Sequence, residues 1–467
     1  MKFLIIIPAL ALLAYFPSLN YYFSQDDFIH LSASKISSIP EFLNFFNPFF
    51  EFPDMFFYRP LSTQVYFFVN QSLFGLNPLP FRIEAILIHV INSLLFYFIV
   101  KSVWKNPKIA FLSGMFYAVS ATHFLSIFYI SGFQEVFRAF FIFLSILLFF
   151  KFKGGQKKYL LGSILSFIAA LLCKENSIIL PAILPILEII RKNSSLKAAF
   201  KENLKPIVPF FIISVVFLAI RVIGIQTVFE QGGYSASFSI LDLFQNLKWY
   251  ILWSFGLPEV LSTYPSLKPN SLLQFGKDLS PGNLVLALSS LLGVIMLFLA
   301  FTTRLPKKLL IFNLLIFLIT TSPALILQGH RYPYYLNISL LGFLPLLSLL
   351  FDQKGLKNIL AMVGIIVFVT LQFFSLRLSE DSHWTTHRSK VAEYYYQSLT
   401  KNHPTLPENS TVVFVGGGRA PKELSVALTY HYALSLWYPG KIKEIKYLTP
   451  EEAKNWPQAT LYPITLY

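Results

Sequence analysis

Apolar runs close to the length needed to cross a lipid bilayer recur along most of the chain, and they constrain its fold more than any other feature. A helix needs about 20 predominantly apolar residues to cross a bilayer. Such runs lie near residues 3–23, 82–101, 108–127, 134–152, 159–173, 175–190, 206–226, 283–303, 309–327, 335–351 and 358–376. The pattern predicts an all-α polytopic membrane protein with about eleven transmembrane helices.

The composition agrees with a membrane protein. Only 13% of the 467 residues are charged, against about 25% in soluble domains. A net charge of +15 would suggest nucleic acid for a soluble protein, but in a membrane protein the positive-inside rule explains it. The single cysteine, Cys173, excludes an internal disulfide and a cysteine metal cluster. Residues 3–17 resemble a signal peptide, but no small-x-small cleavage pattern follows, so we interpret them as a retained span.

Alternate connections between the runs are short and rich in lysine and arginine. The positive-inside rule places these loops in the cytoplasm. The N-terminus is then cytoplasmic and the C-terminus extracytoplasmic, and the bacterial inner (plasma) membrane is the expected location. Two long aromatic connections, 24–81 and 227–282, lie outside. Within them, 41–46, 61–73 and 241–255 are interpreted as interfacial helices, and 227–282 could form a lid or remain a passive surface.

The segment 377–467 is polar and has the size of a small domain. We therefore expect a transmembrane domain, 1–376, followed by a small extracytoplasmic α/β domain. A buried strand is predicted at 411–415 and a helix at 421–436. Glycines 416–418 between them could form a phosphate-binding turn, although their pattern is not G-x-G-x-x-G. A strand–loop–helix without a ligand explains the same residues.

Two adjacent carboxylates, Asp26 and Asp27, follow the first apolar run directly. With the N-terminus inside, they emerge at the outer membrane–water boundary, where a charge is expensive and often functional. Alternatively, the acidic pair merely ends a helix and lies in water.

Other polar groups occur at the outer ends of the runs. They are Tyr58 and Arg59, His123, Glu135 and Arg138, Lys174 and Glu175, and His330, Arg331 and Tyr332. Arginine and lysine bind phosphate, and a nearby carboxylate can act as a general base, so together the set suits a lipid-linked phosphate. Local explanations exist for each group. Lys174 could neutralise Glu175, Glu135 could pair with Arg138, the basic groups near 330 could snorkel to headgroups, and His123 could simply pack.

Four short motifs follow one another in a fixed order along about the first 350 residues: Asp26-Asp27, Tyr58-Arg59-Pro60-Leu61, Cys173-Lys174-Glu175-Asn176 and Arg331-Tyr332-Pro333-Tyr334. This ordered set resembles the membrane glycosyltransferases of the C-type fold, which use polyprenyl-phosphate sugars. The chain is similar to protein O-mannosyltransferases, to the aminoarabinose transferase of lipid A, and most to the membrane part of transmembrane-and-tetratricopeptide O-mannosyltransferases. It departs from them in lacking tetratricopeptide repeats and in its C-terminal segment.

The resemblance implies an inverting transfer of a hexosyl or pentosyl group from a polyprenyl-phosphate donor to an acceptor hydroxyl or amine at the outer membrane face. Asp26 would be the general base and Asp27 its support or an acceptor contact, although these two roles could be exchanged. The donor phosphate and headgroup would contact Tyr58, Arg59, Lys174, Glu175, His330, Arg331 and Tyr332. Less direct candidates are His123, Glu135 and Arg138.

No cofactor and no metal are predicted, because several cationic side chains are available for the phosphate, although a divalent cation could share its charge. The expected partners are the lipid-linked sugar, membrane lipids and an acceptor protein, lipid or glycan, and no nucleic acid. A transporter or flippase is one alternative function. It would favour polar groups near the midplane of the bilayer and an internal repeat symmetry. A polymerase or ligase of lipid-linked saccharides is another; it would not require a carboxylate beside cations.

Overall fold

The structure, a computed structural model, describes residues 2–52, 54–55, 57–224, 235–264, 269–454 and 460–463. It is predominantly helical. In chain order the α-helices are α1 (Ile6–Tyr15), α2 (Asp26–Ala33), α3 (Ile39–Asn44), α4 (Tyr66–Phe74), α5 (Pro78–Trp104), α6 (Pro107–Val119), α7 (Phe124–Phe128), α8 (Phe133–Lys153), α9 (Tyr159–Cys173), α10 (Leu180–Lys192), α11 (Leu196–Gly224), α12 (Ile240–Ser254), α13 (Pro269–Asp278), α14 (Gly282–Thr302), α15 (Lys307–Leu325), α16 (Leu336–Leu350), α17 (Leu356–Ser382), α18 (Trp384–Asn402), α19 (Ala420–Ala427), α20 (Tyr432–Trp437) and α21 (Pro450–Ala453). A π-helix, Pro60–Val65, precedes α4.

Among the described residues, seven helical stretches are long and apolar enough to cross a membrane. They are Pro78–Trp104, Ile130–Lys153, Leu204–Ile223, Gly282–Thr302, Lys307–Leu325, Pro333–Leu350 and Leu356–Ser382. The bent pair formed by α6 and Ala121–Phe128 would be an eighth span. A multi-pass membrane protein is therefore confirmed. The count of eleven spans stays a prediction, because Ile6–Asn20, α9 and α10 are shorter than a bilayer-spanning helix.

The spans differ in how much of their surface is covered by protein. In Pro333–Leu350, 89% of the residues are buried inside the protein. In the most apolar 18-residue segments of Leu204–Ile223 and Gly282–Thr302, the buried shares are only 17% and 22%. Helix α16 therefore lies at the centre of the bundle, while α11 and α14 present most of their surface to lipid. Residues just before α16 are thus placed close to many other elements.

Local sequence signals fix the starts of α5 and α6. Asn77 and Asn106 cap these helices with their side-chain oxygens, and each is followed by a proline at the first helical position. An asparagine cap satisfies free N–H groups, and proline there loses no hydrogen bond.

The connection 24–81 folds into four helical pieces with different environments. Helix α3 overlaps the predicted 41–46 helix and leaves Ile39 and Leu43 exposed, as expected of a surface that rests on lipid. The segment 61–73 was also predicted to lie in the interface. One face of the π-helix and α4 buries polar Ser62 and Gln64 together with Phe67, while Val69 and Leu73 on α4 are exposed, so the interfacial position of this segment stays a prediction.

The C-terminal segment contains a three-stranded parallel sheet of order β2-β1-β3, formed by β1 (Ser410–Val415), β2 (Ile442–Leu448) and β3 (Thr460–Pro463). Strand β1 matches the predicted strand. The helix predicted over 421–436 is instead broken into α19 and α20, because Thr429 and Tyr430 between them have positive φ.

No break separates the last span from the C-terminal segment at residue 376, since α17 continues to Ser382. A second hydrophobic core then joins the C-terminal segment to the first connection. It includes Phe23 and Phe28 on one side and Tyr395, Phe414 and Trp437 on the other. The residues around the acidic pair therefore pack against the C-terminal segment.

Candidate functional site

The two acidic residues begin α2 but have different surroundings. Asp27 is fully buried. Its Oδ2 accepts a hydrogen bond from the Ser24 backbone N–H (2.9 Å), and its Oδ1 accepts one from the Ser131 backbone N–H (2.7 Å) and one from the Ser131 hydroxyl. Asp26 is half-buried, and its backbone N–H donates to the Tyr129 hydroxyl (3.0 Å). Asp27 therefore ties α2 to the residues before α8, while Asp26 remains partly exposed.

Burial raises the pKa of both carboxyls. For Asp26 the increase is partly offset by the Tyr129 hydroxyl and by the Arg388 guanidinium. Burial raises the pKa of Asp27 to about 7, against the opposing effect of its hydrogen bonds from Ser131 and Ser24. A raised pKa makes a carboxylate a better proton acceptor near neutral pH. Asp27 is fully enclosed, whereas the Asp26 side chain remains partly exposed.

Replacing Asp27 by asparagine is expected to lower the free energy of unfolding by about 1–3 kcal/mol, because an amide NH₂ would face a buried N–H or O–H donor. The pKa of Asp27 in the folded protein, about 7, lies above the ordinary value of an aspartate. At any pH between these two pKa values, the folded protein therefore binds one more proton than the unfolded protein. The contribution of Asp27 to stability is thus present at low pH and is lost as the pH rises to about 7. Denaturant unfolding in detergent at pH 5 and pH 8 measures both effects, and a wild-type stability profile would contradict this role.

A buried ion-pair cluster lies where several of the predicted site residues meet. Arg59 is 4% exposed and forms a bidentate salt bridge with Glu175. Its Nε donates to Glu175 Oε2 (2.8 Å), and its Nη2 donates to Oε1 (2.6 Å). Its Nη1 donates to Gln134 Oε1 (2.8 Å). Arg221, from α11, reaches the same Glu175 carboxylate at 3.1 Å.

The second half of the cluster is centred on Glu135, which is fully buried. Lys174 Nζ lies 2.6 Å from Glu135 Oε1, and Arg138 Nη2 lies 2.7 Å from Oε2. The pairing of Glu135 with Arg138 was one of the sequence-based alternatives, and it is present. Lys174 and Glu175 do not neutralise each other, since each pairs with a different partner. Burial lowers the pKa of Lys174 to about 8, and Glu135 opposes that decrease.

The charges of this cluster do not balance. Four cations, Arg59, Arg138, Lys174 and Arg221, surround the two carboxylates of Glu135 and Glu175, which leaves a net charge of +2. Buried charges are costly unless they are neutralised. The cluster is therefore electrostatically suited to an anion.

Aromatic residues before α16 form one wall of the site. Lys174 Nζ lies 4.9 Å from the ring centres of both Tyr334 and Tyr335, and Tyr332 stacks on Tyr334 at 5.2 Å. The Tyr335 hydroxyl and His330 Nδ1 are 2.9 Å apart. Burial lowers the pKa of His330 to about 3, with Lys174 and Arg59 adding to the decrease. The lowered pKa favours the neutral imidazole of His330, and its contact with the donor headgroup stays a prediction.

The residues just before α8 connect the acidic pair to the cluster. The Ser131 backbone N–H and hydroxyl both donate to Asp27, and the Tyr129 hydroxyl accepts the Asp26 backbone N–H, while Glu135 of the cluster lies four residues after Ser131. Burial, together with the charges of Glu259 and Asp26, raises the pKa of Tyr332 to about 12. The structure thus brings Asp26, Arg59, Lys174 and the residues before α16 to one region, although they are far apart in the sequence.

Two of the predicted site residues, Tyr58 and His123, have other surroundings, whereas Arg331 adjoins the aromatic wall. Tyr58 donates its hydroxyl hydrogen bond to the Phe46 carbonyl (2.9 Å), which holds the first connection together. His123 is fully buried between the rings of His89 (4.7 Å) and Tyr117 (4.5 Å), as expected of a packing residue. Arg331 is half-buried beside Tyr332.

Several residues of the site were missed in the sequence. Arg82, 1% exposed, donates to the carbonyls of Tyr22 (2.6 Å) and Phe128 (3.1 Å) and so fixes the segments that precede Asp26 and Ser131. Arg82 and Arg221 both lie in apolar runs, and a charge in such a run is itself a signal of function. Arg388, whose guanidinium favours the ionised form of Asp26, carried no comparable signal in the sequence.

Within the part of the chain that the structure describes, no group of three or more His, Cys, Asp or Glu side chains is arranged to hold a metal ion. The prediction that no metal is required stays a prediction.

Part of the sequence matches a known protein family, and the fold resembles that of solved structures. Residues 66–221 match the family of dolichyl-phosphate-mannose-protein mannosyltransferases, and no curated protein matches the chain. ArnT from Cupriavidus metallidurans, solved bound to undecaprenyl phosphate, is similar at 10% identity with a TM-score of 0.53, over 99% of this chain and 96% of that chain.

An Archaeoglobus fulgidus oligosaccharyltransferase in the apo form is 12% identical with a TM-score of 0.46, over 97% of this chain. This chain spans 65% of the length of that archaeal protein. The match of residues 66–221 and the fold shared with ArnT confirm the predicted resemblance to the membrane glycosyltransferases of the C-type fold.

Proposed function

We propose that the protein is an inverting glycosyltransferase that moves a sugar from a polyprenyl-phosphate donor to an acceptor hydroxyl or amine at the extracytoplasmic face of the membrane. The observation that carries this proposal is the cluster of net charge +2 formed by Arg59, Arg138, Lys174, Arg221 and two glutamates. A half-buried carboxylate, Asp26, belongs to the same region, because its neighbour Asp27 accepts hydrogen bonds from Ser131, four residues before Glu135 of the cluster. An anion site beside a proton acceptor is what transfer from a sugar phosphate requires.

The reaction is a direct displacement at the anomeric carbon. The acceptor oxygen or nitrogen forms a bond to that carbon while the bond from carbon to the phosphate oxygen breaks, and the bonding electrons leave with the phosphate. Asp26 accepts the proton that the acceptor loses. The cations around Lys174 stabilise the charge that develops on the departing polyprenyl phosphate. Because phosphate is a good leaving group, no general acid is needed.

We assign part of the isoprenoid chain of the donor to an apolar cleft. A cavity of about 360 Å³ lies between α10, α11 and α15, and the residues that line it are apolar, among them Pro185, Ile189, Ile207, Phe312 and Ile319. Helix α10 begins at Leu180, directly after the 3-10 turn Glu175–Ile179 that carries one carboxylate of the cluster. The cleft therefore runs along a helix that starts beside the charged cluster. ArnT, which shares the fold, was solved with undecaprenyl phosphate, a lipid phosphate of the proposed class.

The donor can be identified by incubating the purified protein with a panel of polyprenyl-phosphate sugars and an acceptor mixture, and by measuring release of free polyprenyl phosphate. Transfer of at least one sugar is expected. Binding of lipid-linked saccharides without any release of polyprenyl phosphate would contradict the enzyme and favour a transporter or flippase.

Replacing Arg331 by alanine is expected to weaken donor binding while the stability is retained, because Arg331 is half-buried next to the tyrosine wall. Loss of one charge-assisted phosphate contact costs about 1.5–3 kcal/mol, which corresponds to roughly a 10- to 150-fold weaker Kd. The Kd of polyprenyl phosphate for detergent-solubilised protein measures the change. An unaltered Kd would remove Arg331 from the donor site.

The proposed orientation can be tested by cysteine labelling in a Cys173→Ser background. We expect Lys401→Cys, exposed on α18, to react with a membrane-impermeant reagent in intact cells. Lys157→Cys, exposed in a basic loop, should react only after the membrane is permeabilised. The opposite labelling pattern would contradict both the orientation and transfer at the outer face.

A further inference from the structure

The residue that precedes Asp26 has a strained backbone. Gln25 has φ 50° and ψ −122°, a region that residues with a side chain rarely adopt. Such a conformation costs about 1–3 kcal/mol and persists only where the surroundings hold it. Because Gln25 is the N-terminal cap position of α2, its conformation sets the direction in which the first turn of that helix, with Asp26, leaves the chain.

Three hydrogen bonds join Gln25 to the C-terminal segment. The Gln25 backbone N–H donates to the Ala427 carbonyl (3.0 Å), and the Thr429 hydroxyl donates to the Gln25 carbonyl (2.5 Å). Arg388 Nη1 donates to Gln25 Oε1 (2.6 Å). Backbone and side chain of Gln25 are thus both fixed by residues more than 350 positions away in the sequence.

Contacts on both sides of Gln25 strengthen this attachment. Before it, the ring of Tyr22 stacks on Tyr396 at 5.0 Å, and the Ser389 hydroxyl donates to the Tyr22 carbonyl (2.8 Å). After it, the ring of Phe28 packs edge-on against Trp437 at 6.0 Å. The whole segment around the acidic pair therefore rests on α18 and α20.

Arg388 itself is fixed by its neighbours. Its guanidinium lies 5.1 Å from the ring centre of Trp384 and 3.5 Å from the Glu423 carboxylate, and its side chain is 21% exposed. Trp384 packs on Tyr129 at 5.3 Å, and the Tyr129 hydroxyl accepts the Asp26 backbone N–H. Arg388 is thus connected to Asp26 both through Gln25 and through this pair of rings.

We propose that Arg388 and Thr429 are positioning residues, which hold Gln25 in its strained conformation and so direct the Asp26 carboxylate toward the acceptor. The C-terminal segment is then a part of the active site and not an accessory domain. This inference rests on the proposed function, because it assigns a role to Asp26 in transfer.

Arg388 and Thr429 differ in charge, and an experiment can therefore separate their effects on Asp26. The groups that face Asp26 are Tyr129 from the turn before α8, Tyr332 before α16, Arg388 from α18, and Gln25 and Asp27 beside it. Of these groups Arg388 brings a positive charge, which favours the ionised form of Asp26. Thr429 brings none. Loss of Arg388 therefore changes both the position and the ionisation of Asp26, and loss of Thr429 changes the position alone.

We expect Thr429→Val to lower kcat roughly 10- to 100-fold through misplacement of the base, with the Kd of polyprenyl phosphate unchanged. Arg388→Gln should lower kcat similarly and also move the acid limb of the kcat/KM profile to higher pH, because Asp26 then protonates more readily. Arg388→Lys should return that limb toward its wild-type position. Lys422→Gln, which removes an exposed cation from the neighbouring α19, is the matched control and should behave as wild type.

Amide hydrogen exchange over 25–33 supplies a readout that does not depend on activity. Faster exchange of these amides is expected in Thr429→Val and Arg388→Gln and not in Lys422→Gln. If wild-type protein transfers no sugar, the proposed function fails while the exchange data still report whether Gln25 is held. Wild-type exchange, or a wild-type kcat in both variants, would overturn the positioning role. A loss of kcat matched by an equal loss of donor affinity would also overturn it.

Discussion

Replacing Asp26 by asparagine is expected to lower sugar transfer by roughly 10²–10⁴-fold, the usual contribution of general-base catalysis. Asparagine keeps the size of the side chain but cannot accept a proton. Because Asp26 is half-buried, the change should leave the thermal stability near that of the wild type. Transfer rates and melting temperatures measured on the same preparations separate loss of chemistry from loss of fold.

Donor binding gives the control for this variant. The removed charge is negative, as is the donor phosphate, so the Kd of polyprenyl phosphate should stay the same or become slightly tighter. The pH dependence gives another check. Burial raises the pKa of Asp26, so wild-type transfer should fall as the pH decreases through this raised value, since the protonated acid cannot act as a base. Near-normal transfer by Asp26→Asn would end the assignment of Asp26 as the base.

The surroundings of Asp27 argue against an exchange of roles between the two acids. Both carboxylate oxygens of Asp27 accept hydrogen bonds from Ser24 and Ser131, and the side chain is fully buried. Loss of activity in Asp27→Asn should therefore accompany loss of stability, whereas in Asp26→Asn it should not. A catalytic defect without a stability defect in Asp27→Asn would reverse this assignment.

The sequence predicted the parts of this site that depend on local patterns. Apolar runs identify the membrane helices, and charges near their ends identify Asp26, Arg59, Lys174 and Glu175 as unusual. Their pairing could not be predicted, because it depends on which helices lie side by side. Lys174 and Glu175 are neighbours in sequence, yet the turn between α9 and α10 directs them to different partners, Glu135 and Arg59.

The role of the C-terminal segment lay even further beyond sequence patterns. Gln25, Arg388 and Thr429 are ordinary polar residues in their local contexts, and only the tertiary fold brings them together. The positive φ of Gln25 likewise has no local signal, since glycine or asparagine is the residue usually found in such a conformation. Strain at a residue adjacent to the acidic pair became visible only in the structure.

Replacing Arg59 by alanine is expected to lower the free energy of unfolding by about 3–5 kcal/mol, because it leaves part of a buried ion pair without its partner. From the sequence alone, Arg59 would be expected to bind phosphate with no effect on folding. In the structure it is 4% exposed and engages Glu175 through two nitrogens. Loss of donor binding in this variant therefore cannot be read as loss of a phosphate contact, and Arg331→Ala is the cleaner probe.

A double-mutant cycle with Glu175→Gln tests this explanation. If the two residues stabilise the protein mainly through each other, the double variant should be more stable than the sum of the single effects predicts, with a coupling of about 0.5–3 kcal/mol. Arg221 also contacts Glu175 (3.1 Å), so this carboxylate keeps one cationic partner in Arg59→Ala. The coupling energy between Arg59 and Glu175 should therefore be smaller than the loss of stability in Arg59→Ala. Arg331→Ala serves as the control with near wild-type stability. Denaturant unfolding of the four proteins gives the cycle, and strictly additive effects would show that Arg59 stabilises the fold by contacts other than Glu175.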